Sequence, residues 1–409
     1  MTLLPAAIIA GLGLGEPVTL VARRNPYSDS YDPIEVGGVR LDLTAATSVR
    51  YTDNVFFDEN DAAVSDVVFG FEVGASAATE VGRTALRVSA GLDRQQFVDT
   101  STETVTNGRI AGGATYRLDD ATNLDLRASY RGDAEARVFI DAFAASAEPI
   151  RFSALDIEGS VDRTRGRWIM KLSAFRNALD YKSGLDRDGD VIEQDFRDQT
   201  TNGAGLDILF KVFGTDVGVG GYGKYSRIRF STPFAGESLD HEIVEGGAAI
   251  LTPQEAIYSL DARVGVFNRE FDSPLRPTIT ELTYRANLVY TPILRTNLSV
   301  YVDRAPDPTA IDGAGSRIRT AQRVGVDHEF LPTLFGSAAY ERSTFDFEEL
   351  GRDVTEVGFR VGMRWVLNEA AELVGEARYF DRSTEFDDPD TFEADRDVLN
   401  VSLRAGLRF

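Results

Sequence analysis

Polar and apolar side chains alternate one for one along stretches of roughly 11 to 17 residues, and no other feature of this chain narrows its fold so far. The C-terminal segment LNVSLRAGLRF shows the pattern cleanly. Leu399, Val401, Leu403, Ala405, Leu407 and Phe409 fall on one face of an extended strand, and Asn400, Ser402, Arg404, Gly406 and Arg408 fall on the other. Val357, Phe359, Val361, Met363 and Trp365 oppose Gly358, Arg360, Gly362 and Arg364 in the same way. Strands in soluble sandwiches run about 5–6 residues. Segments twice that length can cross a bilayer at a tilt. The pattern therefore predicts an all-β fold, a transmembrane antiparallel up-and-down β-barrel.

Turn chemistry sets the strand count. Short connections such as Val81-Gly82-Arg83, Phe213-Gly214-Thr215, Pro253-Gln254 and Pro332-Thr333 alternate with longer acidic segments. Pairing them gives about 18 strands (16–18), the first near residues 38–51 and the last near 393–409. An even number returns both ends of the barrel to the side of the short turns, read here as periplasmic. The long loops then lie on the extracellular side. Along the chain this predicts a shortened signal segment over 1–16, an extended periplasmic lead-in over 17–36 and the barrel over 37–409. Aromatic residues near both ends of the strands suggest two interfacial girdles. Tyr51, Phe97, Tyr181, Tyr225, Phe230, Phe345, Phe347, Tyr379 and Phe380 would form the outer one. Tyr116, Trp168, Phe210, Tyr258, Tyr290, Phe330, Phe335, Trp365 and Phe409 would form the inner one.

Composition removes several functions. The chain has no cysteine, which excludes thiol catalysis and cysteine-held metal centres. A net charge of −22 argues against nucleic acid as a partner. The two histidines, His241 and His328, have no nucleophile placed beside them by a known motif, so no catalytic residue is assigned. No cofactor is implied. Asp186, Asp188 and Asp190 bring hard oxygens together on one loop and form a weak calcium candidate, but the glycine spacing of an EF-hand is not met.

Arginine is the residue type that carries the functional reading. Arg127, Arg131, Arg263, Arg285, Arg295, Arg360, Arg364, Arg404 and Arg408 all fall in the polar phase and are expected to line the lumen. Charged rings set selectivity in pores, and arginine favours anions. A bracing network of ion pairs with Asp125, Asp261, Glu281 and Asp303 is the alternative, and the two are compatible. The expected function is passage of small solutes or a (poly)saccharide through the outer membrane without chemistry. A plugged adhesive scaffold and, less so, an outer-membrane hydrolase stand beside it.

Two resemblances accompany these patterns. The segment Val49-Arg50-Tyr51-Thr52-Asp53-Asn54-Val55-Phe56, after Tyr31-Asp32-Pro33-Ile34 and Gly38-Val39-Arg40-Leu41, resembles the entry strand of a putative β-barrel porin family of proteobacterial outer membranes. That resemblance implies a bacterial outer-membrane location. Through the gene neighbourhoods of such proteins, it also implies polysaccharide export proteins as partners. The closing strand is similar to the C-terminal signal of outer-membrane barrels. It implies outer-membrane lipid as surroundings and the barrel assembly machinery as a partner that reads Leu403, Leu407 and Phe409.

Overall fold

The computed structural model describes residues 33–140, 142, 146–252, 257–309, 313–388 and 393–409. The signal segment, nearly all of the lead-in and the Pro253-Gln254 turn lie outside them. A short strand β1 (Ile34–Val36) folds back on the start of β2 (Val39–Thr52), pairing Ile34 with Leu41. Beyond it the chain runs up and down through β3 (Asp66–Val81), β4 (Thr84–Phe97), β5 (Val105–Asp119), β6 (Thr122–Ala134), β7 (Arg151–Arg165) and β8 (Trp168–Tyr181). A small loop hairpin follows, β9 (Gly184–Leu185) with β10 (Val191–Ile192). The wall resumes with β11 (Gln199–Lys211), β12 (Gly218–Phe230), β13 (His241–Leu251), β14 (Tyr258–Phe271), β15 (Ile279–Ile293) and β16 (Thr296–Pro308). It ends with β17 (Ser316–Leu331), β18 (Leu334–Phe347), β19 (Arg352–Val366), β20 (Ala371–Phe386) and β21 (Arg396–Arg408).

Each of these strands pairs antiparallel with its neighbours, and β21 closes on β2 from Thr44–Arg408 to Thr52–Asn400. The result is a closed barrel of 18 strands. Closure removes every free strand edge, which a sheet immersed in lipid requires. The seam is finished by the last residue: Phe409 and Leu43 exchange backbone hydrogen bonds of 2.8 and 3.0 Å. Deleting Phe409 should therefore lower the yield of folded barrel in the membrane, read as the fraction that migrates faster on an unboiled gel. An unchanged fraction would show that the terminal aromatic contributes nothing to assembly.

The outward face is apolar through the middle of every strand. Phe359, Val361, Met363 and Trp365 on β19, and Leu399, Val401, Leu403 and Leu407 on β21, are all exposed. Their polar alternates face inward, and contacts that skip a strand prove it. Arg404 on β21 reaches Glu72 on β3 across β2, and Arg263 on β14 reaches Asp207 on β11 across two strands. Such contacts are possible only on the concave side.

The aromatic girdles need correction. Tyr51, Tyr225 and Tyr379 sit in the outward phase of the long-loop end, as expected. Tyr181, Phe230, Phe345 and Phe347 are buried instead, and Phe97 and Phe380 share their inward phase. The outer ends of the strands are apolar on the inside because loops fold over them, and that packing looks like a girdle in a sequence. Phe335 at the other end is likewise buried, against Val366.

Candidate functional site: the charged lumen and its covered mouth

Inward-facing charge is distributed unevenly around the ring. Strands β19 to β21 turn Arg352, Arg360, Arg364, Arg378, Arg382, Arg396, Arg404 and Arg408 inward, against Glu356, Glu372 and Glu376. Nearly opposite, β6 to β8 turn Asp125, Asp133, Asp156, Glu158 and Asp162 inward, against Arg127, Arg131 and Lys171. A cationic wall thus faces an acidic one across the lumen. A charged solute crossing between them meets a transverse field, strengthened by the low-dielectric walls.

Most of the expected lumen arginines are held by carboxylates. Arg285 donates to Asp303 at 2.8 Å and Arg364 to Glu372 at 2.9 Å, while Arg404 lies between Glu72 at 2.9 Å and Glu372 at 3.4 Å. Arg408 pairs with Asp42, and Arg131 with Asp133 at 3.5 Å. Arg127 stands beside Glu158, its register partner on β7. Arg295 is the exception: it sits in the turn between β15 and β16, 3.9 Å from Glu329, at the rim and not in the wall. Its phase was right, but the strand ends before it.

Cross-strand register brings together residues that no single strand pattern could pair. Arg360 lies directly opposite Arg378, Arg263 opposite Arg285, Arg109 opposite Arg131, and Arg382 opposite Arg396. Like charges at that spacing repel. Three of the pairs are eased by close carboxylates: Asp207 and Asp303 serve Arg263 and Arg285, Glu356 and Glu393 serve Arg382 and Arg396, and Asp133 serves Arg131. In the fourth pair Arg360 has Glu376 at 3.9 Å, while Arg378 makes no ion pair among the described residues. Arg378 therefore adds to this wall a cation that no described carboxylate meets.

The described part of the segment between β6 and β7 leans over the long-loop mouth. Its base is fixed by two buried ion pairs. Arg137 forks onto Glu103 at 2.7 and 2.9 Å and also donates to Ser146. Arg197 pairs with Glu135, donates to the Gln194 Oε1 at 2.9 Å and stacks on Tyr181. Removing one member of such a pair strands a buried charge at about 3–5 kcal/mol, so the base is firmly set. Val138 and Ile140 reach the other side of the ring. Arg382 on β20 donates to the Val138 carbonyl, and Ile140 packs on Ala314, Phe345, Phe347 and Val354.

A second clasp joins the loops beside it. Arg276 donates to Glu237 at 3.1 Å and to the Gly313 carbonyl at 2.7 Å, pairs with Glu349 and lies over Phe271. Ser273 and Arg276 hold the Glu237 carboxyl below its ordinary range, whereas burial pushes Glu349 up despite the same arginine. Beneath them Ile228, Phe230, Leu239, Ile243, Phe267, Ile279 and Ile318 form a core inside the barrel end. His241 is fully buried there, its Nδ1 2.9 Å from the Leu239 carbonyl. His328 faces outward and meets Thr296 at 2.8 Å. Asp186 spends its carboxylate on the Asp188 and Asp190 amides, a turn cap and not a converging ligand set. No cluster able to hold a metal ion occurs among the described residues.

A closed 18-stranded wall with a charged lumen is the architecture of a porin, and the sequence matches the family model described as "Putative beta-barrel porin 2" over residues 31–406. The chain belongs to that family. Solved structures of the same general shape include the outer membrane protein OpdK of Pseudomonas aeruginosa. It has 13% identity and a TM-score of 0.46, with 90% of this chain and 99% of that one covered. OccK2 (OpdF) of the same organism aligns at 11% identity and a TM-score of 0.46, over 91% and 97%. The siderophore receptor PirA of Acinetobacter baumannii aligns at 8% and 0.46, over 90% and 80%. No curated protein matches the sequence. The family places the protein among porin-like β-barrels.

Proposed function

We propose that this member of the β-barrel porin 2 family is a passive outer-membrane pore for small anionic solutes, carboxylated sugars among them. The observation that carries the reading is the Arg360–Arg378 pair in a cationic wall facing an acidic one. An anion settling between two like charges relieves their repulsion, while a neutral solute does not. Passage involves no bond making. Val138 and Ile140, which lean over the mouth, favour a small solute over a thick polymer.

The packed outer end favours a second reading, a plugged scaffold whose loops bind a partner. Planar-bilayer recording of the purified protein separates the two. The pore reading expects discrete conductance steps and faster liposome swelling with glucuronate than with glucose. A silent bilayer at high protein load would leave the scaffold.

A further inference from the structure

The outward face of β3 to β6 carries a break in the apolar band. A groove of about 600 Å³ is lined by Val73, Ala75, Leu92, Gly108, Ile110 and Tyr130, among others, all but open to the lipid side. It exists because Gly108 and Gly132, register partners on β5 and β6, bring no side chain to the wall. Directly above it stand two arginines in the outward phase. Arg94, opposite Phe71 on β3, donates to the Thr106 hydroxyl at 3.1 Å. Arg151 reaches over β6 to the Thr106 carbonyl at 3.4 Å. Lys182 is next in the row, its amide 2.8 Å from the Arg151 carbonyl, with its own charge already met by Asp180.

Outward arginine is costly in hydrocarbon, about 2–4 kcal/mol at the midplane and close to nothing at the interface. These residues therefore mark a boundary. Thr106 lies about ten residues up β5 from the exposed Tyr116, which at the usual tilt is about 25 Å of height, the thickness of the apolar band. Arg94 and Arg151 thus sit at headgroup level on the long-loop side, and the groove runs into the acyl layer beneath them. Both are exposed, and neither has a carboxylate partner among the described residues.

We infer that this face binds one phosphorylated lipid of the leaflet on the long-loop side. Arg94 and Arg151 would hold its phosphate, and an acyl chain would lie in the groove between Leu92, Ile110 and Tyr130. The inference rests on the barrel spanning the membrane with its long loops outward and not on the lumen conducting, so conductance and lipid binding fail independently.

The test uses the full chain in detergent, with diphosphoryl lipid A and its dephosphorylated form as probes, read by native mass spectrometry. One diphosphoryl lipid A per barrel is expected to survive, with the dephosphorylated form retained far less. Arg94→Glu with Arg151→Glu should weaken retention about tenfold, since two charge-assisted contacts become repulsive. A Cβ at Gly132 meets no protein atom within 4 Å, so Gly132→Leu extends its side chain into the groove. It should weaken both lipids alike and keep the preference for phosphate. Gel mobility without boiling checks folding, and Arg94→Gln with Arg151→Gln replaces the charge reversal if that variant does not assemble. Equal retention of the two lipids, retention unchanged in the arginine variants, or displacement by millimolar inorganic phosphate would each overturn the assignment.

Discussion

Replacing residues 138–147 with a short Gly-Ser linker should raise single-channel conductance by about two- to fivefold, because Val138 and Ile140 within it reach over the mouth to the opposite wall. The near anchors, Glu103–Arg137 and Glu135–Arg197, stay in place in that variant, so the wall keeps its buried ion pairs. A point change makes the same case with less disturbance. Ile140→Asp puts a carboxylate among Ala314, Phe345, Phe347 and Val354. Burying it there without a partner costs at least several kcal/mol, more than one isoleucine contact returns. The tip should therefore leave its seat, and the channel should flicker between the parental level and a larger one. Identical traces from the parent, the point variant and the excision would mean that the loop does not limit flow.

How much of this was readable beforehand follows from what a single strand can encode. Alternation and turn residues give strand positions within a few residues, and the closing contact of Phe409 with Leu43 agrees with the strand order counted from the C terminus. The bare phase also placed Arg360, Arg364, Arg404 and Arg408 on the inner face. Register is another matter. That Arg360 stands opposite Arg378, and that Glu72 serves Arg404 from two strands away, depends on loop lengths and shear around the whole ring. The same limit explains Phe345 and Phe347, which carry the right residue type and position for a girdle but the wrong phase. The inward Phe at the outer end of a strand was the one available signal for a covered mouth, since an open channel would place polar residues there. The arginines of the loops, Arg137, Arg197 and Arg276, gave no such signal, because their partners come from other loops.

Reversing charge at the guanidinium pair should change ion selectivity more than any other substitution in the wall. With Arg360→Glu and Arg378→Glu together, the reversal potential in a salt gradient should swing from anion to cation preference. The permeability ratio should move by about tenfold, the effect of roughly 1.4 kcal/mol at the site. Arg364→Glu gives a smaller change, since Glu372 already neutralises Arg364 and Arg404 stays nearby. Arginine-to-lysine changes at 360 and 378 should retain the anion preference, separating charge from shape. The single change Arg378→Glu carries a second expectation of opposite sign. It converts a repelling cross-strand pair into an attracting one, worth about 0.2–1 kcal/mol, so the barrel should unfold at slightly higher denaturant while its anion preference falls. Wall stability and anion preference would then be traded at one residue. That is the behaviour of a pair kept for what passes it. If Arg378→Glu left selectivity intact and only raised stability, the pair would be an incidental clash and the pore's preference would have to come from elsewhere.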